Sequence, residues 1–291
     1  MSRIKTVIIG LLMLLTGPFL TGCSALRLGY VNGPTLAWIW IDGYFDFARA
    51  QSPEVQKKLD GWFAWHRGTQ LNDYAALLAS AQADITEPTT PAIACRWAER
   101  IREQLEPALQ RAVADFADLV PGLGDPQLRH LERRYAKIID EMRSDYLQPD
   151  AAERLRDSVK RAQSRAEQLY GSLDEPQLKV IRSGVAVSPF NPELWLLERQ
   201  RRQRDVLQTL RKLQAERADV AQRVAVLRGL VDRTERSPNA EYRAYQVKLT
   251  DYNCALAAQI HNATTAAQRL QARDKLKGWE DDARSLVPAG G

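Results

Sequence analysis

Apolar residues recur every three or four positions along nearly the whole chain, and stretches of strict alternation are missing, so the pattern predicts helices joined by short polar breaks. Trp38, Ile41 and Phe45 follow this spacing and place aromatic bulk on one face of a helix over residues 35–49. Ser52-Pro53-Glu54-Val55 reads as a helix start, since serine caps, proline suits the first turn and Glu54 meets the positive end of the dipole. That helix runs to about His66, and another covers residues 69–83. After a Thr- and Pro-containing break at 86–91, helices are predicted over 92–119 with a bend at Pro107, then over 125–146, 150–170 and 174–186. Ser188-Pro189-Phe190-Asn191-Pro192 is the clearest interior break, because each proline restricts the residue before it. Beyond it, periodicity predicts one long helix over 193–231, paired as a hairpin with 239–261, and a last helix over 265–286.

The expected fold is therefore all-α, an irregular multi-helix bundle with a long C-terminal helical hairpin. The expected organisation is a leader over 1–22, a linker over 23–34, a helical body over 35–187, and the hairpin with its final helix over 188–291.

The leader follows from a different pattern. Arg3 and Lys5 precede an apolar run, Val7 to Leu20, that is too short and too interrupted by Gly and Pro to span a bilayer comfortably. It ends in Leu20-Thr21-Gly22-Cys23, where small Gly22 fits the subsite before a cut and the Cys23 thiol can be alkylated. These residues resemble the lipobox of bacterial lipoproteins, which implies lipidation at Cys23 and a partner in the lipid bilayer. Ser24 in the next position, by the same resemblance, points to an outer-membrane anchor with the body facing the periplasm.

Composition changes this picture little. Lys and Arg exceed Asp and Glu by 5 in 291 residues, and the two signs are interleaved, which gives no basic patch for nucleic acid. Two cysteines remain besides Cys23. In an oxidising compartment Cys95 and Cys254 either form a disulfide or sit as two buried thiols.

Reactive chemistry is sparse. His66, His130 and His261 stand far apart in no metal-binding spacing, and glycine-rich nucleotide loops and a G-x-S-x-G nucleophile are missing, so no metal, cofactor or catalytic site is expected. The best candidate site is Asp42 with Asp46, four apart and thus on one helix face, with Tyr44, Trp62, Trp65 and His66 as lining. The tryptophans either pack into the core or face outward as a binding patch.

A short recurrence links Leu123-Gly124-Asp125-Pro126-Gln127, Leu173-Asp174-Glu175-Pro176-Gln177 and Thr264-Thr265-Ala266-Ala267-Gln268. Each predicts a capping box. The repeat also resembles the Leu-Thr-x-x-Gln motif of periplasmic helical proteins of the Spy and CpxP type, which implies a stress chaperone or sensor. Taken whole, Cys23 to Tyr30 with Asn32-Gly33-Pro34, Trp40 to Phe47, Trp62 to Arg67, Leu131 to Tyr135 and His261 to Glu280 resemble a family of proteobacterial lipoproteins, DUF6279. That resemblance implies a location and no activity. The expected function is a noncatalytic helical envelope lipoprotein binding a protein or envelope component. The alternatives are an ATP-independent chaperone and, lower, an envelope hydrolase joining Asp42 or Asp46 to His66.

Overall fold

The computed structural model describes residues 25–216 and 218–288, so the leader and Cys23, on which the lipidation reading rests, lie outside the described residues. Among the described residues there are twelve α-helices and no strand, an all-α multi-helix fold. They are α1 (Ala25–Val31), α2 (Gly33–Phe45), α3 (Ser52–Thr69), α4 (Leu71–Asp84), α5 (Pro91–Leu119), α6 (Asp125–Tyr146), α7 (Ala151–Tyr170), α8 (Glu175–Ala186), α9 (Pro192–Glu216), α10 (Val220–Glu235), α11 (Ala240–Ala263) and α12 (Ala266–Leu286). None of these helices is long and apolar enough to cross a membrane.

Three local expectations are corrected. The helix expected over 35–49 stops at Phe45, because Asp46 turns left-handed at φ 51° and breaks the ladder. The expected linker carries helix α1, and Asn32-Gly33-Pro34 opens α2 directly, with proline in the first turn where its missing N–H costs nothing. The single helix expected over 193–231 is two, α9 and α10, since Asp219 accepts from Gln222 N (2.9 Å) and its own N–H donates to the Gln222 side chain (3.1 Å). The hairpin is thus α9 with α10, and α11 packs elsewhere, on α5 and α8.

The helix contacts repeat. α2 packs on α3 and α6 while α3 packs on α5; in the second half α7 packs on α8 and α12 while α8 packs on α11. The first helix of each set ends on a positive-φ residue, Asp46 or Gly171, the two such positions among the described residues. Each half also lends a segment to the other. α4, from the first half, packs chiefly on α12, whereas the α9–α10 hairpin, from the second, packs on α6 and α5. The halves are therefore interlocked by exchanged segments rather than merely adjacent.

Two apolar clusters follow from this arrangement. The larger gathers Phe45, Val55, Leu128, Leu131, Leu210 and Leu227 from α2, α3, α6, α9 and α10; the smaller centres on Tyr170, Ile181 and Ala272 from α7, α8 and α12. Each large side chain so buried contributes about 1.5–3 kcal/mol. Cys95 of α5 and Cys254 of α11 form a disulfide across the halves, with Cα atoms 5.3 Å apart.

A polar network closes the α9–α10 hairpin. Burial alone would raise the Glu198 carboxyl, but hydrogen bonds from Arg201, Arg202 and Ser237 outweigh it and hold Glu198 below the usual carboxylate value. Arg233 donates from two nitrogens to Asp205 (2.9 and 3.0 Å) and holds that carboxyl low as well, against the opposing effect of burial. Arg233 of α10 and Ser237 just beyond it bond Asp205 and Glu198 of α9, so the network ties the two helices together.

Candidate functional site

The six residues singled out in the sequence fall into two separate clusters. Asp42, Tyr44 and Asp46 lie at the C-terminal end of α2, whereas Trp62, Trp65 and His66 lie at the far end of α3. At 1.5 Å per residue, His66 sits about 20 Å along α3 from Ser52, the end nearest Asp46. The carboxylates and the histidine do not meet.

Each cluster is already engaged in holding the fold. Asp42 Oδ1 accepts from Phe47 N (3.0 Å) and closes the turn after α2. Asp46, expected on the same helix face, lies past the helix end at a left-handed position that aspartate tolerates better than most residues. Its carboxylate lies 3.8 Å from His130 Nδ1, and His130 Nε2 donates to Gly43 O (3.3 Å). Tyr44 packs between Trp40 (4.8 Å between ring centroids) and Tyr135 (6.3 Å).

In the second cluster the rings form a box. Trp62 stacks on His66 (4.7 Å, 18° between planes) and donates from Nε1 to Ala108 O (3.1 Å), while Arg111 lies over Trp65 at 5.6 Å. His66 is buried, with Tyr30 Oη 2.7 Å from Nδ1 and Tyr74 Oη 3.3 Å from Nε2. Either neutral tautomer satisfies both contacts, because each tyrosine hydroxyl can donate or accept. The other half holds a similar pair. His261 Nε2 donates to Glu87 O (2.7 Å), so Nδ1 accepts from Tyr170 Oη (2.9 Å). Burial pushes the Tyr30 and Tyr170 hydroxyls up to about 12.

Burial also lowers both histidines, with Arg67 adding to the effect at His66 and Arg269 at His261, where the Glu87 carbonyl opposes it. The folded chain therefore binds fewer protons than the unfolded one below the ordinary histidine value of 6.5. The stability this gives is full above that pH and is lost as pH falls through the lowered folded values. The melting temperature should fall on acidification from about pH 7 to about pH 5, and His66→Gln with His261→Gln should flatten that slope. Thermal melts across the range check it; parallel curves for wild type and variant would contradict it.

A groove of about 900 Å³ lies elsewhere, between α7, α11 and the 185–195 turn. Leu155, Leu169, Phe190, Trp195, Leu256 and Ile260 give it an apolar floor, and Arg154, Arg161 and Arg165 are its charged lining. Arg161 lies over Tyr146 (4.4 Å), whose ring packs on Trp195 (5.1 Å). The sequence reading missed this groove. Its one local signal in the sequence is the break at Ser188 to Pro192.

The chain matches a family of unknown function, DUF6279, over residues 43–243, well over half its length. It belongs to that family. The DUF6279 match takes in Trp62 to Arg67 and Leu131 to Tyr135, both helical here, and stops short of His261 to Glu280. No curated protein and no solved structure matches the chain. Membership in DUF6279, a family of unknown function, assigns no reaction. Among the described residues no three or more His, Cys, Asp or Glu side chains are grouped to hold a metal ion.

Proposed function

We propose that this DUF6279 chain is a noncatalytic lipoprotein of the bacterial cell envelope, acylated at Cys23, anchored in the outer membrane with its body in the periplasm, and acting by binding a protein or envelope component. The observation that carries the reading is the Cys95–Cys254 disulfide, which joins residues 159 apart and is a bond of the kind that persists in oxidising compartments. The export signal at Leu20 to Cys23 agrees with it. Binding is supported by the groove over α7 and α11, which pairs an open apolar floor with arginines and so suits an apolar segment flanked by acidic groups. Noncatalytic action is supported by the engagement of Asp42, Trp62 and His66 in bonds that hold the fold.

A photo-crosslinking residue at Leu155 or Ala257, in the acylated protein in living cells, should capture an envelope protein, whereas one at exposed Leu270 outside the groove should not. Equal capture from all three positions would refute the groove as the binding surface.

A second reading, an ATP-independent chaperone resembling the Leu-Thr-x-x-Gln proteins, is favoured by one further observation. The capping glutamines recur once more than spacing predicts, with Gln222 added to Gln127, Gln177 and Gln268. Crosslinking separates the two readings, one dominant partner supporting the first and a broad set of unfolded clients the second.

A further inference from the structure

Among the described residues, an apolar face on α1 and α2 is left largely exposed. Leu28 is 53% exposed, Val31 59%, Leu36 54%, Ile39 61% and Trp40 65%, five large apolar side chains within thirteen residues. Single exposed apolar residues are ordinary on any protein, but a run on two linked helices is not. The sequence sharpens the contrast. From Leu28 to Ile41 there is no Asp, Glu, Lys or Arg, in a chain where 26% of residues are charged.

The position of this face limits what can cover it. Only Ser24 separates Cys23 from Ala25, the first residue of α1. At about 3.3–3.6 Å per extended residue, an acyl group on Cys23 is held within about 7 Å of that helix. The lipid headgroups and the α1–α2 face are then immediate neighbours. Trp40, packed on Tyr44, is the side-chain type enriched at such boundaries, with an apolar ring body and one polar N–H.

We infer that the face formed by Leu28, Val31, Leu36, Ile39 and Trp40 seats on the phospholipid surface, so that the protein lies against the bilayer through α1 and α2 instead of hanging from a flexible tether. The inference rests on the proposed acylation of Cys23. Seating fixes the orientation of the body. Acyl chains and a shallow apolar face act as two linked attachments, and the second need not be strong because the first holds it at high local concentration.

The test uses the full acylated protein in vesicles of phosphatidylethanolamine and phosphatidylglycerol, with and without bromine in the acyl chains, and reads tryptophan emission. Bromolipid should quench the wild type, and Trp40→Phe, a change at an exposed ring that leaves the core intact, should lose about half or more of that quenching. The intact mass of the same sample reads acylation. An acylated protein whose quenching is unchanged by Trp40→Phe overturns the seating alone, and the same holds if another protein covers the face and leaves Trp40 unquenched. A chain lacking acyl groups on Cys23 overturns both the seating and the lipoprotein reading beneath it.

Discussion

Replacing Cys95 and Cys254 together with alanine should lower the melting temperature by about 10 °C. The cross-link spans 159 residues and ties α5 to α11, one helix from each half. Closing a loop of that length in the unfolded chain removes entropy worth up to about 5 kcal/mol, and losing a native disulfide commonly costs about 2–5 kcal/mol. At about 2–4 °C per kcal/mol for a domain of this size, the midpoint gives the stated shift. The fold should nevertheless survive, because α4 and the α9–α10 hairpin still cross between the halves. Thermal melts of the variant, beside wild type under reducing conditions, check this. A shift below about 2 °C would mean that the exchanged helices alone set the stability.

The second large effect is expected at Gln177. Its side chain is 5% exposed and serves two helices at once. Gln177 Oε1 accepts from Asp174 N (3.0 Å) and from Gln268 Nε2 (3.0 Å), while its Nε2 donates to Gln268 Oε1 (2.7 Å) and to Ala263 O (3.1 Å). Gln268 in turn accepts from Thr265 N (2.8 Å) and donates to Ser172 O (2.8 Å). Each glutamine thus caps its own helix and holds the residue two before the other's cap. Gln177→Ala strips several buried partners at a stroke and should cost about 3 kcal/mol. In a double-mutant cycle Gln177→Ala and Gln268→Ala should couple by at least about 1 kcal/mol. Chemical denaturation of the four proteins measures this, and simple additivity would show that the pair does not brace the two helix starts. The first half holds a similar pair. Gln51 accepts from Ala48 N (2.8 Å) and Gln127 Nε2 (2.9 Å) and donates to Gly122 O, again two residues before the partner's cap.

These pairs show where sequence reasoning reached and where it stopped. Caps are local, so Gln127, Gln177 and Gln268 with Thr265 were visible from spacing alone, whereas the caps at Thr90, Asp150 and Asn239 emerge only in the structure. Glycine at position 124 offers no side chain for a full box, yet its N–H still donates to Gln127 (3.0 Å). Gln51 accepts from Ala48 N in the turn before α3 and not at a helix start, so no capping pattern marks it. The turn at Asp219 escaped because apolar spacing carries on across it from Leu210 and Leu213 to Val224 and Leu227, and only Gln222 three residues later betrays the start of α10. Bracing of one cap by another requires the fold.

The candidate site was less legible for the same reason. A spacing of four places two carboxylates on one face only while the helix lasts, and α2 ends between Asp42 and Asp46. Tyr30 with His66, and Tyr170 with His261, are tertiary pairs that no local pattern announces. The groove is assembled from α7, α11 and the residues around Phe190, whose separate faces look like ordinary core in the sequence.

The proposed acylation of Cys23 underlies the proposed location, compartment and seating of α1 and α2, and the intact mass of the protein recovered from bacterial envelopes tests it most directly. The expected product is a chain beginning at Cys23 and carrying a thioether-linked diacylglycerol. A chain retaining Met1, or one beginning elsewhere with no lipid attached, would contradict it.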